Sequence, residues 1–278
     1  MKIDLHAHTY YSDGALSPVE LVMRAHNQQV DVMAITDHDT VDALIEAQEF
    51  QAEQNRKLTI IPGIELSTAW HGFDIHVVGL NIDWQDEHFQ TRLKQQQESR
   101  DVRAKLIGEK LTKAGLGDVY SIAEKMAGKG QITRAHFARA LVEESKVSSM
   151  QTAFRKYLGK GKRAHVSPKW ISIQEAVQWI NEAGGAAVLA HPGRYKMTAK
   201  WLRRLINEFK EAGGSAIEVV YPGMSPILKN QMATYANEYD LLASTGSDFH
   251  APGRWSEIGR NLALPNNVNP VWANWGID

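Results

Sequence analysis

The chain has no cysteine among its 278 residues. That excludes disulfide bonds and a thiolate nucleophile, and it fits a reducing, cytoplasmic setting. No uninterrupted apolar run approaches the ~18 residues that a membrane span requires, so no membrane association is expected. Charge of one sign is also missing: 31 basic residues face 32 acidic ones. Any attraction to a polyanion must therefore be local. There is no Gly-x-x-x-x-Gly-Lys-Ser/Thr loop, which removes the P-loop route to phosphate chemistry. There is no internal repeat or low-complexity tract. The first residues already read as strand and ligand, so no leader peptide is expected before the fold. What remains is 43% hydrophobic, enough for one barrel-sized core and a small added lobe. Tryptophans such as Trp70, Trp84, Trp179, Trp201, Trp255, Trp272 and Trp275 read as packing residues of that core and lobe.

Histidine is where the sequence becomes informative. Asp4-Leu5-His6-Ala7-His8 places two imidazoles at i and i+2, which an extended strand turns to one side. Paired imidazoles suit Zn, Mn or Fe, with further ligands supplied from elsewhere in the chain. Candidates recur in Ser12-Asp13-Gly14, Thr36-Asp37-His38-Asp39, Gly63-Ile64-Glu65, Asp74-Ile75-His76, Ala190-His191-Pro192 and Ser247-Asp248-Phe249-His250. Asp37, beside His38, either orients a ligand imidazole or caps a turn.

Each of these groups ends or interrupts a short apolar run. Residues 2–5, 30–36, 58–66, 74–80, 186–190, 216–220 and 241–245 are rich in Val, Ile and Leu and read as seven strands. Helical patterns lie between several of them. Ser17-Pro18 gives an N-cap followed by proline, residues 42–54 carry a second helix, and residues 173–183 and 201–212 each stop at a Gly-Gly pair. This alternation predicts an α/β fold with a parallel sheet covered by helices. If the sheet closes, the strand C-termini bring His6, His8, His38, Glu65, His191, Asp248 and His250 to one rim.

These motifs resemble the polymerase and histidinol phosphatase (PHP) superfamily of metal-dependent phosphoesterases. The resemblance rests on Asp4-Leu5-His6-Ala7-His8, Thr36-Asp37-His38-Asp39, His191 and Ser247-Asp248-Phe249-His250. It is nearest to the branch of 3',5'-nucleoside bisphosphate phosphatases, some of which are also 5'-3' exoribonucleases on short RNA. It implies a distorted seven-stranded (β/α) barrel and three divalent ions, Mn2+ with Zn2+ or Fe2+ as alternatives. Carried over by position, one ion falls to His6, His8, Glu65 and Asp248, a second to Glu65, His76 and His191, and a third to Asp13, His38 and His250. The implied catalytic set is Asp37, His38, His191 and Asp248 around a metal-bound hydroxide. The implied partners are nucleoside 3',5'-bisphosphates and short RNA 5' ends.

Residues 84–168 interrupt the alternation and read as an inserted small helical domain, leaving 1–83 and 169–278 for the barrel. Its first part, residues 85–113, is polar with spaced apolar positions, as an exposed helix would be. Thr133 reads as the N-cap of a helix over 134–144. Arg134 and His136 in its first turn suit a phosphate, or serve as an ordinary surface cation and a packed residue. Between residues 145 and 174 there is no acidic residue, while cations alternate with Phe154, Tyr157 and Trp170, which describes either a nucleotide-binding strip or a solvated basic loop. With Lys169 and Arg194, these groups are the expected substrate-binding residues, although Arg194 could instead form a plain salt bridge.

Three other readings use the same motifs. A histidinol-phosphate-type phosphatase would act on a small amine, and an amidohydrolase would cleave C–N bonds. A non-catalytic nucleic-acid-binding or polymerase-associated module would keep the barrel without the reaction.

Overall fold

The structure is a computed structural model, and it describes residues 1–253 and 256–277. Trp255 lies outside the described residues. The strands are β1 (Ile3–Asp4), β2 (Val32–Ile35), β3 (Thr59–Trp70), β4 (Phe73–Leu80), β5 (Ile171–Ser172), β6 (Ala186–Leu189), β7 (Ala216–Val220) and β8 (Leu242–Thr245). Seven of them follow the order β1-β2-β3-β4-β6-β7-β8, while β5 pairs with the outer end of β3. The ring is nearly closed. The Leu5 N–H donates to the Thr245 carbonyl at 3.0 Å, and Ala7 pairs with Phe249 just above.

All seven expected strands are present, and β5 is an unforeseen eighth. Side chains alternate across the barrel wall, as a period of two demands. Ile3, Leu5, Val32, Ala34, Val78, Leu80 and Val188 fill the interior, where Trp272 and Trp275 of the C-terminal tail pack against them. Met33, Ile35, Leu66, Val77, Leu189 and Ile217 face outward. They meet α1 (Pro18–Asn27), α2 (Ala43–Ala52), α7 (Ile173–Glu182), α8 (Ala199–Glu211) and α9 (Pro226–Glu238). Ser17 caps α1 as its sequence predicts, accepting from the Glu20 N–H at 3.1 Å while the Glu20 carboxylate accepts from the Ser17 N–H at 2.8 Å.

The all-parallel expectation needs one correction. β4 runs antiparallel to both β3 and β6. The cause is the two-residue link His71-Gly72, in which both residues have positive φ, 45° and 78°. That is the type I′ geometry whose twist matches a tight hairpin, so β3 must fold straight back on itself. The reversal brings the N-terminal half of β4 to the rim, with His76 paired opposite Ser67.

Between β4 and β5 lie α3 (Glu87–Lys113), α4 (Val119–Ala127), α5 (Arg134–Glu143) and α6 (Met150–Ala153), the last running into a π turn, Phe154–Leu158. They share a hydrophobic cluster of their own that includes Ile107, Leu111, Val119, Phe137, Leu141 and Leu158. The polar helix expected over 85–113 runs from Glu87 to Lys113, with one face exposed and the other buried. α3 buries Phe89, Leu93, Gln96, Arg100, Ala104, Ile107 and Leu111, a stripe at spacings of three and four that spans barrel and lobe. Among the described residues no helix is long and apolar enough to cross a membrane.

Gly72 tests the hairpin. A Gly72→Ala variant puts a Cβ where φ is +78° and is expected to lose about 1 kcal/mol of stability. The check is the urea midpoint at constant slope, and an unchanged midpoint would mean that the turn does not hold β4 in place.

Candidate metal centre

Glu65 is the hub of the rim. It lies on β3, it is 1% exposed, and its two carboxylate oxygens meet five imidazoles. Oε2 is 3.2 Å from His6 Nε2, 3.3 Å from His8 Nε2 and 3.1 Å from His38 Nδ1. Oε1 is 2.9 Å from His76 Nδ1 and 3.1 Å from His191 Nε2. Asp248 Oδ1 completes one side at 3.2 Å from His8 Nε2, and Asp13 Oδ1 the other at 3.2 Å from His250 Nε2. All nine side chains named as ligands from the sequence thus converge.

Three groups have ligand atoms within 4.8 Å of one another: His6, His8, Glu65 and Asp248; His8, Asp13, His38 and His250; and His38, Glu65 and His76. The first matches the expected set. The second adds His8, and the third holds His38 where His191 was expected, although His191 still touches Glu65.

The electrostatics call for cations. Burial opposes ionisation of Glu65, yet His6, His76 and His38 hold its carboxyl well below the usual range. Asp248 and Asp13 are lowered in the same way against their burial, by His6 and His8 and by His38 and His250 respectively. Burial alone would lower His8, but Asp248 and Glu65 push it up to about 10. Burial keeps His38 neutral, well below its ordinary value, as ligation requires. Asp13 Oδ1, His38 Nδ1 and His191 Nδ1 are buried without a hydrogen-bond partner. Three ionised carboxylates packed among imidazoles, with donor atoms of Asp13, His38 and His191 left without a hydrogen bond, fit divalent metal ions.

Other residues set the ligands in place. Glu218, a lone acid within the apolar strand β7, accepts from His6 Nδ1 at 2.6 Å and from the His191 N–H at 2.5 Å. It fixes the His6 tautomer so that Nε2 faces Glu65. The Tyr195 hydroxyl accepts the His76 N–H at 2.9 Å. His191 and Asp248 sit at positive φ, 32° and 50°, which turns both side chains at the strand ends. Asp37 serves the turn, and through the Ser12 hydroxyl, 3.4 Å from His8 Nδ1, it also reaches one of the clustered imidazoles. It is buried and binds the Thr9 N–H at 2.7 Å, the Thr9 hydroxyl at 2.6 Å and the Ser12 hydroxyl at 2.5 Å, so it holds the loop between His8 and Asp13.

A cleft of about 200 Å³ opens beside Asp13, His38 and His76. Arg100, Arg103 and Arg134 wall it, with Phe154 and Trp170. Asp39 secures Arg100, accepting from its Nε at 2.5 Å and from the Ser67 N–H at 2.8 Å, while Gln96 reaches the Ser67 carbonyl at 2.6 Å. Burial and the neighbouring Arg134 draw Arg103 down to about 10, and its Nη2 is buried without a partner. Arg134 also pairs with Asp74 at 3.6 Å.

The remaining expected substrate residues are scattered. His136 is 1% exposed, and its Nδ1 accepts the Thr133 N–H at 3.0 Å, so it caps α5 and does not line the cleft. Lys169 is exposed and also outside the cleft lining. Arg194 meets the cluster from the other flank, donating to Asp248 Oδ2. Sequence reading missed Glu218, Asp39, Arg100 and Arg103. The first shows as a charge inside an apolar strand, and Arg100 continues the three-and-four spacing of Phe89 and Leu93.

Two measurements test these placements. A Cβ on Gly246 would stand 2.2 Å from His6 Cβ and 2.8 Å from His6 N. Gly246→Ala is therefore expected to lose at least half of its bound metal by elemental analysis while keeping its far-UV circular dichroism, and full metal content would contradict the packing. Burial, then Arg139, lowers His136 to about 4. Its unfolded value is about 6.5, so the unfolded chain takes up the proton first, and stability complete above pH 6.5 is lost towards pH 4, by up to about 3 kcal/mol. His136→Gln should flatten that part of the pH profile, and an unchanged acid limb would remove His136 from it.

Comparison with known proteins gives the same picture. The chain is 48% identical to the 5'-3' exoribonuclease Rnm of Escherichia coli, over 98% of this chain and 93% of the relative. It is 41% identical to a 3',5'-nucleoside bisphosphate phosphatase of Chromobacterium violaceum, over 97% and 95%. Among solved structures, an amidohydrolase from Chromobacterium violaceum with bound sulfate and no metal superposes with a TM-score of 0.91 at 41% identity, covering 98% of this chain and 95% of that one. A protein of Bifidobacterium adolescentis, provisionally named a metal-dependent phosphoesterase, gives 0.83 at 26% identity, covering 95% and 93%. The PHP domain description matches residues 4–219, and the chain belongs to the PHP domain family.

Proposed function

We propose that this chain is a metal-dependent phosphoric ester hydrolase that removes the 3'-phosphate from nucleoside 3',5'-bisphosphates and releases 5'-mononucleotides from the 5' end of short RNA. The observation that carries the reading is the sharing of Asp13, His38 and His76 between the ligand cluster and the arginine cleft. One phosphate group can meet the cluster while a second lies on Arg100, Arg103 and Arg134. A nucleoside 3',5'-bisphosphate presents that pair, and so does a 5'-phosphorylated RNA. Relatives named for both activities support this substrate class.

The proposed ligand sets are His6, His8, Glu65 and Asp248; Glu65, His76 and His191; and Asp13, His38 and His250, for three ions, with Mn2+ preferred and Zn2+ or Fe2+ as alternatives. When bound, such ions neutralise the ester and lower the pKa of water towards neutrality. Water oxygen joins phosphorus, the P–O3' bond breaks, and O3' leaves and takes up a proton. The products are a 5'-mononucleotide and either inorganic phosphate or an RNA with a new 5'-phosphate. Residues 84–168 contribute the three arginines, and residues 1–83 and 169–278 contribute the ligands. The unpartnered Arg103 Nη2 and the fork of Arg134 bind the 5'-phosphate, and Asp39 keeps Arg100 fixed beside them. A cytoplasmic location accords with these substrates. The cationic cleft disfavours histidinol phosphate, whose ammonium would face three guanidiniums.

The test offers 3',5'-bisphosphoadenosine, histidinol phosphate and a 5'-phosphorylated trinucleotide side by side with Mn2+. The first and third are expected to turn over and to stop on chelation, and turnover that survives chelation would overturn the reading. Arg103→Ala and Arg134→Ala should each raise KM for 5'-phosphorylated substrates about tenfold or more, as loss of a charge-assisted contact does. Hydrolysis of a simple aryl phosphate should change little, and an equal loss on both would remove the cleft from substrate binding.

A further inference from the structure

The two proposed substrates differ at one atom. In the bisphosphate the 3'-phosphorus carries three terminal oxygens, whereas in RNA one of these is O5' of the next nucleotide. An enzyme for RNA must leave that oxygen a way out, on the side of the cluster away from the 5'-phosphate. The arginine cleft borders the cluster at Asp13, His38 and His76. The opposite flank is Asp248, and there the surface is built differently.

Arg194 lies on the 3-10 turn Pro192–Arg194 that follows β6, and its side chain is 41% exposed. It donates to Asp248 Oδ2 and sits 4.9 Å over the ring of Tyr221, at the end of β7. Beyond Tyr221 is a groove of about 620 Å³ lined by Tyr221, Pro222, Met224, Lys229, Arg260 and Asn261, among others. That volume falls within the ~300–1,000 Å³ of small-ligand sites. Among the described residues its lining carries two cations and no carboxylate, together with an aromatic ring, two prolines and a thioether. Lys229 Nζ is held by the Ala263 carbonyl at 2.5 Å, which fixes one cation at the groove wall. Cations beside flat and polarisable apolar groups suit a phosphate next to a base.

We propose that this groove binds the nucleotide on the 3' side of the scissile phosphate, and that it is what admits RNA as well as the bisphosphate. The strand leaves the metal cluster over Arg194, which bridges Asp248 and Tyr221. Its next phosphate lies against Lys229 and Arg260, and its base against the partly exposed Pro222 and Met224. The bisphosphate ends before the groove and does not use it. This inference rests on the function proposed above.

The experiment measures kcat/KM for 3',5'-bisphosphoadenosine and for a 5'-phosphorylated triribonucleotide, with wild-type protein and with Lys229→Glu and Arg260→Glu. Each variant should lose roughly tenfold on the trinucleotide and less than twofold on the bisphosphate, which also shows that it is folded. The slope of log(kcat/KM) against log salt for the trinucleotide should flatten by about 0.7 for each phosphate contact removed. If wild type hydrolyses neither substrate, the proposed function fails and the groove with it. If wild type cleaves both while each folded variant acts on both as wild type does, or loses equally on both, the groove alone is refuted. A wild-type preference for the trinucleotide that disappears only in these variants would establish it.

Discussion

A carboxylate buried among five imidazoles is the constraint around which the rest of the molecule is arranged. Glu65 is 1% exposed, so neither of its oxygens has water to turn to. In a medium of low polarity an unneutralised carboxylate costs several kcal/mol, and this one has Asp13 and Asp248 as close companions. Positive charge must therefore be supplied from within, by protons on histidines or by divalent ions. The five histidines come from four separate stretches of the sequence, so the barrel must be correctly registered before the charge is balanced. Glu218 carries the same demand one layer further out, tying the His6 ring to the backbone of His191.

Barrel and helical lobe meet this constraint from opposite sides. The barrel concentrates carboxylates and imidazoles, while the lobe brings guanidiniums to within reach of the same cleft. The junction is Asp39, which stands beside His38 and yet spends its side chain on Arg100 and the backbone of Ser67. α3 runs unbroken across this junction, and one stripe packs first on the barrel and then on the lobe core. Arg100 lies on that stripe and is tied to the barrel through Asp39 and Ser67.

Much of the barrel was legible because strand periodicity, glycine stops and caps are local signals. Seven strands were readable, as were the Ser17 and Thr133 caps, since each depends on residues three or four apart. The convergent cluster was legible for another reason: histidine and acid in strand-end motifs carry their chemistry in residue type. What could not be read was orientation. The reversal of β4 hangs on the φ angles of His71 and Gly72, and His-Gly is a weaker hairpin signal than Asn-Gly. The role of Arg100 depended on treating an arginine as part of a buried stripe, which composition argues against. His136 illustrates the converse. A histidine on the first turn of a helix near a phosphate site looks functional, but its nitrogen closes the cap of its own helix.

The ring is closed by residues from the two extremities of the chain, through Leu5 with Thr245 and Ala7 with Phe249. His6 and His8 sit on one side of that seam and Asp248 and His250 on the other. A ribosome-bound nascent polypeptide that ends before β8 consequently holds only part of the ligand set. The cluster can therefore assemble only when the strands on both sides of the seam have paired.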